Sequence, residues 1–218
     1  MGEVATTFGL LTGTLGKIAR DIALHAQTEI AELAEPLAQG RGGSSTMPHK
    51  RNPVACSAVI ACAMRVPALV STMLTAMLQE QERALGGWQA EWETLPEIAS
   101  LTSAALNQLR EVTSGLSVDA ARMRSNIDIT QGLIMAEAVS LALAQHMGRA
   151  VAHELIEEAC HQAVASGRSL LEVLKSDPRM PKEFSSMHLE SLFDPARYLG
   201  EAPAFVERVL VHHRHRKA

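Results

Sequence analysis

An all-α architecture is expected for this chain: a bundle of long helices followed by a small helical C-terminal domain. Three observations predict it. Of the 218 residues 47% are hydrophobic but only 3% are aromatic, so the core must be built from Ala, Leu, Val, Ile and Met, side chains that suit closely spaced helices. The first segment repeats apolar residues at alternating steps of four and three. No alternating strand pattern of useful length and no internal repeat interrupts the helical texture.

In the first segment Val4, Phe8, Leu11, Leu15, Ile18 and Ile22 trace the seam of a long helix. The repeat is already in register at Val4 with no N-cap before it, which sets up the expectation that the chain is the C-terminal part of a longer polypeptide. A continuous apolar stripe of this kind also predicts self-association. Pro36, Gly40, Gly42 and Gly43 end the helix. A second long helix is expected over 54–82, kinked at Pro67, whose ring removes a backbone donor and crowds the preceding turn. Gly86 and Gly87 break that pattern. A third helix over 95–114 carries Ile98, Leu101, Ala105, Leu109 and Val112 on one face.

Beyond Gly115 the units shorten. Ser117 is placed to cap a brief helix through Arg124, and further helices are expected over 132–146, 150–165 and 169–175. A last amphipathic helix starts at Pro203 and runs into the basic tail His212-His213-Arg214-His215-Arg216-Lys217. The expected domains are therefore 1–115, with a glycine- and serine-rich loop at 40–53, and 116–218.

A formal charge of -4 provides no long-range attraction for nucleic acid, so a small anionic substrate would have to be captured by local cations. Cys56, Cys62 and Cys160 fit no zinc spacing and read as small apolar residues of a reducing compartment. With no secretory apolar region at the start, the expected location is cytoplasmic. The apolar stretch 54–77 has Arg65 and Pro67 near its centre. An arginine at mid-membrane costs about 2.5–3.5 kcal/mol, so a buried bundle helix is expected there and no membrane partner. His25, His146, His153, His161 and His188 are scattered and read as packing or surface residues.

The chemistry concentrates in Gly42-Gly43-Ser44-Ser45-Thr46-Met47-Pro48-His49-Lys50-Arg51-Asn52-Pro53, between the first two long helices. Glycines, hydroxyls, two fixed cations and an amide there suit proton transfer on an acidic substrate. By composition alone the same stretch also reads as a linker ending in a solvated basic turn. The full run closely resembles the signature loop of the fumarase/aspartase superfamily. That resemblance implies a catalytic acid or base at Ser44, with Lys50 and Asn52 binding the substrate carboxylate and stabilising a doubly charged aci-carboxylate intermediate. It also places Gly43, Ser45, Thr46, Met47 and Arg51 around the substrate, with His49 and Arg51 left open between touching substrate and shaping the loop. No metal or organic cofactor is implied.

A second stretch, Glu82-Arg83-Ala84-Leu85-Gly86-Gly87-Trp88-Gln89-Ala90-Glu91-Trp92-Glu93-Thr94-Leu95-Pro96, holds both tryptophans. Either alone would read as an anchor at a helix start. The whole phrase resembles the bacterial 3-carboxy-cis,cis-muconate cycloisomerases of the superfamily. Adenylosuccinate lyases typically have a serine-rich segment ending in a phosphate-binding arginine there, and Trp88 and Trp92 stand in those places. The resemblance implies a lactonizing reaction on a small polycarboxylate in aromatic catabolism, in a homotetramer whose sites are assembled from three segments on three subunits. Only the serine-loop segment has a counterpart in this chain. An adenylosuccinate-lyase-like lyase and a non-catalytic helical oligomerisation module are the alternatives.

Overall fold

The computed structural model describes residues 1–36, 51–181, 184 and 186–215. The described residues form nine α-helices and one minimal two-stranded pairing, an all-α fold as the composition predicted. The chain divides into two compact units, Met1–Arg124 and Ser125–Ala218.

The first unit is a bundle of α1 (Gly2–His25), α2 (Val54–Thr75) and α3 (Gly87–Ser114). Its first two helices run antiparallel in a register readable from the glycines. A Cβ built on Gly2 would meet Met77 Sδ at 2.6 Å, and one on Gly9 would meet Val70 Cγ2 at 3.1 Å; one on Gly16 would overlap Ala63 Cβ outright. Glycines repeat every seventh residue on α1, and the residues they face recede by seven along α2. That is the heptad match of two closely packed helices.

This register corrects the seam read from the sequence. Gly2, Ala5, Thr12, Leu15, Gly16, Ala19 and Ile22 are the buried residues of α1, while Val4, Leu11 and Ile18 remain exposed. The bundle selects the small residues because only they let the two backbones approach this closely. Of the larger seam residues Leu15 and Ile22 stay buried and Phe8 half-buried, while Val4, Leu11 and Ile18 are displaced to the neighbouring stripe.

Two apolar clusters fill the bundle. One joins Leu15, Ala19 and Ile22 to Cys56, Val59, Ala105, Leu109 and Val112. The other joins Ala5, Val66, Met73 and Ile98, with Phe8, Leu69 and Leu101 around them. Residue numbers rise together on α1 and α3, so those two helices run in the same direction. Thr12 and Thr102 meet in the interior with their hydroxyls 2.8 Å apart, and each hydroxyl also lies 2.7 Å from the carbonyl one turn back, on Phe8 and Ile98. Two protons serve three oxygen–oxygen contacts, so one hydroxyl donates to its carbonyl and receives the other.

The helix limits depart from expectation at both ends of the α2–α3 connection. Instead of continuing to residue 82, α2 stops at Thr75. The Gln79 side-chain amide donates to the Ala76 carbonyl and its oxygen accepts from Ala84 N at 3.1 Å, folding the chain back. Because Gly86 takes φ +92° and its N–H donates to Gln89 Oε1 at 2.8 Å, α3 begins at Gly87 rather than near Leu95. Both helices run through an interior proline, Pro67 and Pro96, and both prolines are exposed. By length and composition α2 could cross a membrane. Here it packs against α1 and α3 along one face only, with Cys56, Val59, Val66 and Met73 buried and Met64, Arg65, Ala68 and Thr72 open. The bundle helix expected from the sequence is therefore present, but it is buried on one face and open on the other. Arg65 on that open face pairs with Glu97 of α3.

The pairing missed in the sequence is β1 (Leu33–Ala34) with β2 (Ser117–Val118), antiparallel, Leu33 opposite Val118 and Ala34 opposite Ser117. Ser117 is therefore a strand residue, and Asp119 caps the following helix α4 (Ala120–Asp128) by accepting from Arg122 N at 2.8 Å. The Arg122 guanidinium donates to the carbonyls of Glu29 and Ile30, at 2.7 and 3.0 Å. These ties carry the first unit past Gly115, where composition changes.

In the second unit α5 (Ala136–Met147) and α6 (Arg149–Ser166) form a hairpin joined by Gly148 alone, at φ +85°, a left-handed value that favours glycine. With α7 (Leu170–Ser176), expected over 169–175, and with α8 (Ser186–Leu192), a helix that the sequence reading did not find, they enclose Val139, Leu143, Leu155, Leu170, Leu174 and Leu189. A Ser169–Glu172 capping box starts α7. The last helix, α9 (Ala202–His215), has no buried residue.

Candidate active site

Helix α2 enters from Pro53, which has no side chain able to cap it. Its first N–H groups are instead satisfied by Glu35, twenty residues back: one carboxylate oxygen accepts from Cys56 N at 2.7 Å and the other from Ala55 N at 3.1 Å. A full negative charge at the positive end of a helix is favourable. The same residue's carbonyl accepts from Arg51 Nη2 at 2.6 Å. Just upstream, β1 fixes Leu33 and Ala34 on β2, and Pro36 lies against Gly115 so closely that a Cβ there would come within 2.8 Å. Both stems of the serine loop are therefore held at Glu35.

Asn52 lies at the mouth of α2, partly buried, with its carbonyl accepting from Val54 N at 2.9 Å. Arg51, expected near substrate, is exposed and donates to Glu35. Ser44 and Lys50, together with Gly43, Ser45, Thr46 and Met47, lie outside the described residues. What is described is the frame that carries them: a helix entrance whose donors at positions 55 and 56 are already taken. An anion arriving here must be held by side chains and not by those N–H groups.

Cys56 is fully buried beneath this clamp. Burial, then the hydrogen bond to Glu35 and its negative charge, push the thiol up to about 12. It is protonated and inert at neutral pH. No sequence signal singled out Glu35. The available one was the α2 N-terminus itself, which had to find an acceptor somewhere once Pro53 could not supply one.

At the other end of the bundle Trp88 and Trp92 meet edge to face, ring centroids 5.0 Å apart, with the Arg83 guanidinium 5.6 Å from the Trp88 ring centre. The rings remain 38% and 58% exposed, too open for simple core anchors.

A glycine-rich serine loop feeding a long helix, within a three-helix bundle followed by a helical C-terminal unit, is the arrangement of the fumarase/aspartase lyases. Residues 1–68 match the family model described as Lyase, and residues 132–209 match the one described as Adenylosuccinate lyase C-terminus. The chain belongs to the fumarase/aspartase family. It is 54% identical over 211 residues to a 3-carboxy-cis,cis-muconate cycloisomerase of Pseudomonas aeruginosa, covering 97% of this chain and 46% of the relative. With the enzyme of that name from Acinetobacter baylyi it shares 50% over 208 residues, covering 95% of this chain and 46% of the relative. The crystal structure of the 3-carboxy-cis,cis-muconate lactonizing enzyme from Pseudomonas putida superposes with a TM-score of 0.90 at 51% identity, over 100% of this chain and 48% of that one. The chain spans about half the length of the curated relatives it matches.

Proposed function

We propose that this chain carries the serine-loop portion of a 3-carboxy-cis,cis-muconate cycloisomerase. The observation that carries the reading is the run Gly43-Ser44-Ser45-Thr46-Met47-Pro48-His49-Lys50-Arg51-Asn52-Pro53 leading directly into α2. In the reaction one substrate carboxylate oxygen bonds to an alkene carbon. The π pair moves onto a second carboxylate, making an aci-carboxylate dianion, and the α carbon then takes a proton. Ser44 is assigned that proton, and Lys50 and Asn52 the dianion. Such an intermediate is reached only when fixed donors offset its charge. The assignment fits a helix entrance whose first donors Glu35 has already taken.

Val4, Leu11 and Ile18, spaced by seven on α1 and open to solvent, support assembly with further copies of the chain, as does the open face of α2. A homotetramer is the assembly we favour, and the free thiols of Cys56, Cys62 and Cys160 favour the cytoplasm. The match of 132–209 to an adenylosuccinate lyase model favours a second reading, a lyase on a nucleotide substrate. Trp88 and Trp92, where that lyase would place its phosphate arginine, oppose it.

The test is turnover of 3-carboxy-cis,cis-muconate, followed by loss of diene absorbance, beside turnover of adenylosuccinate. Both are measured on the chain and on a version extended with the upstream half of a relative. Ser44→Ala is expected to abolish lactonization with the fold intact. Near-normal turnover in that variant removes Ser44 from the mechanism. Turnover of neither substrate by the extended protein leaves the chain a helical oligomerisation module.

A further inference from the structure

We propose that Glu35 is a positioning residue for the serine loop, holding its two stems together through three hydrogen bonds, to Ala55 N, Cys56 N and the Arg51 guanidinium. The inference rests on the functional reading above and assigns a role to a residue outside the signature run. Fifteen residues separate Glu35 from Arg51 in sequence, and closing a segment of that length on itself costs entropy that some contact must offset. Glu35 supplies that contact with both ends of its own structure, carboxylate to the helix and carbonyl to Arg51.

The anchor is itself fixed. Its strand is paired on β2, Pro36 is lodged against Gly115 at the end of α3, and Arg122 holds the chain just before it through Glu29 and Ile30. Any displacement of Ala55 and Cys56 relative to β1 therefore has to break the Glu35 carboxylate bonds first. Asn52, assigned to the dianion, lies between Arg51 and those two amides. Misplacing a substrate-positioning group by about 1 Å costs up to roughly a hundredfold in rate, so a loosened clamp should be visible in kcat.

The test compares Glu35→Gln, which keeps one acceptor oxygen and loses the charge, with Glu35→Ala and with Ser44→Ala, all in the extended protein. Backbone amide exchange at Ala55 and Cys56 is read alongside kcat and KM. Both Glu35 variants are expected to speed exchange at the two amides by roughly tenfold or more, as open states become accessible. Turnover number is expected to fall by about ten- to a hundredfold with KM changed far less, and Glu35→Gln should lie between wild type and Glu35→Ala. Ser44→Ala should stop turnover without altering exchange. Unchanged exchange in the Glu35 variants overturns the clamp whatever the turnover, and faster exchange with wild-type kcat overturns the positioning role. If wild type itself fails to turn over the muconate, the proposed function falls, and the clamp then stands or falls on the exchange measurement alone.

Discussion

Gly16 and Gly13 lie one turn apart on α1 and face opposite situations. A Cβ at Gly13 meets nothing within 4 Å, whereas one at Gly16 overlaps Ala63 Cβ. The obstructing atom is bonded directly to the α2 backbone and has no rotamer to escape into. Carbon atoms rest about 3.5–4.0 Å apart, so Gly16→Ala must push the two helices apart by roughly 1 Å or more at that level. Overpacking of this kind costs about 1–3 kcal/mol. Both substitutions gain about 0.8–1 kcal/mol of helix propensity. Gly13→Ala should therefore stabilise by about 1 kcal/mol, and Gly16→Ala should lie about 1–3 kcal/mol below it. Urea denaturation followed by far-ultraviolet circular dichroism, at one fixed protein concentration, measures that gap, which corresponds to a midpoint difference of roughly 1 M for ordinary m-values. Adding Ala63→Gly to Gly16→Ala should recover most of the packing term, seen as a coupling in the double-mutant cycle. A Gly16→Ala protein as stable as Gly13→Ala would refute the close approach, and with it the register of α1 on α2.

Thr12→Val and Thr102→Val should each cost about 1 kcal/mol, the net worth of a buried hydrogen bond, and the double substitution less than their sum, as neither leaves an orphaned hydroxyl; chemical denaturation of the three variants checks this. Gln79→Ala removes both ties of the α2–α3 turn and should lower stability by roughly 1–2 kcal/mol, with a change in Trp88 and Trp92 fluorescence. The Cys56 thiol, pushed to about 12 in the folded state, ionises near 8.5 when unfolded. The unfolded chain then binds fewer protons above that pH, so stability should fall as pH rises from about 8.5 towards 12, and Cys56→Ala should lose this part of the decline. For Asp177 the sign is opposite. The Arg179 hydrogen bond holds its carboxyl below the usual carboxylate range, so its contribution is present above about pH 4 and disappears as pH falls through the folded value. The stability difference between wild type and Asp177→Asn, followed from pH 7 to pH 2, should shrink accordingly.

The helical class and the family were legible in the sequence because both rest on local signals. Composition limits what can fill the core, and the run from Gly43 to Pro53 is a contiguous phrase. The α1 seam was misread for a physical reason: periodicity weighs side chains by hydrophobicity, so Val4, Leu11 and Ile18 outvoted Gly2, Gly9 and Gly16. The partner helix selected for closeness instead. The early end of α2 depended on Gln79, a polar residue that periodicity ignores, reaching back to Ala76 and forward to Ala84. Ser117 looked like a cap because it precedes a helix, but its backbone was already claimed by β1.

Glu35 shows what such reading omits and why it matters for mechanism. Charged residues before α2 were weighed as partners for substrate, as a solvated turn or as shapers of the loop, yet the helix they precede has demands of its own. Three N–H groups at the start of α2, on Val54, Ala55 and Cys56, have no acceptor within the helix, because its cap is a proline and Ser57 N already reaches the Pro53 carbonyl; a neighbouring carboxylate that takes two of them removes those donors from competition for a substrate anion. On the proposed reading, side chains then hold the substrate anion, Lys50 through its charge and Asn52 through its amide. Removing the Glu35 charge frees the 55 and 56 amides to bind an anion directly. If those donors are reserved structurally, Glu35→Ala should acquire weak, salt-sensitive affinity for inorganic phosphate at the mouth of α2, seen as shifts of the Ala55 and Cys56 amide resonances, that wild type lacks. Equal shifts in wild type and variant would mean that the helix N-terminus was open to anions all along.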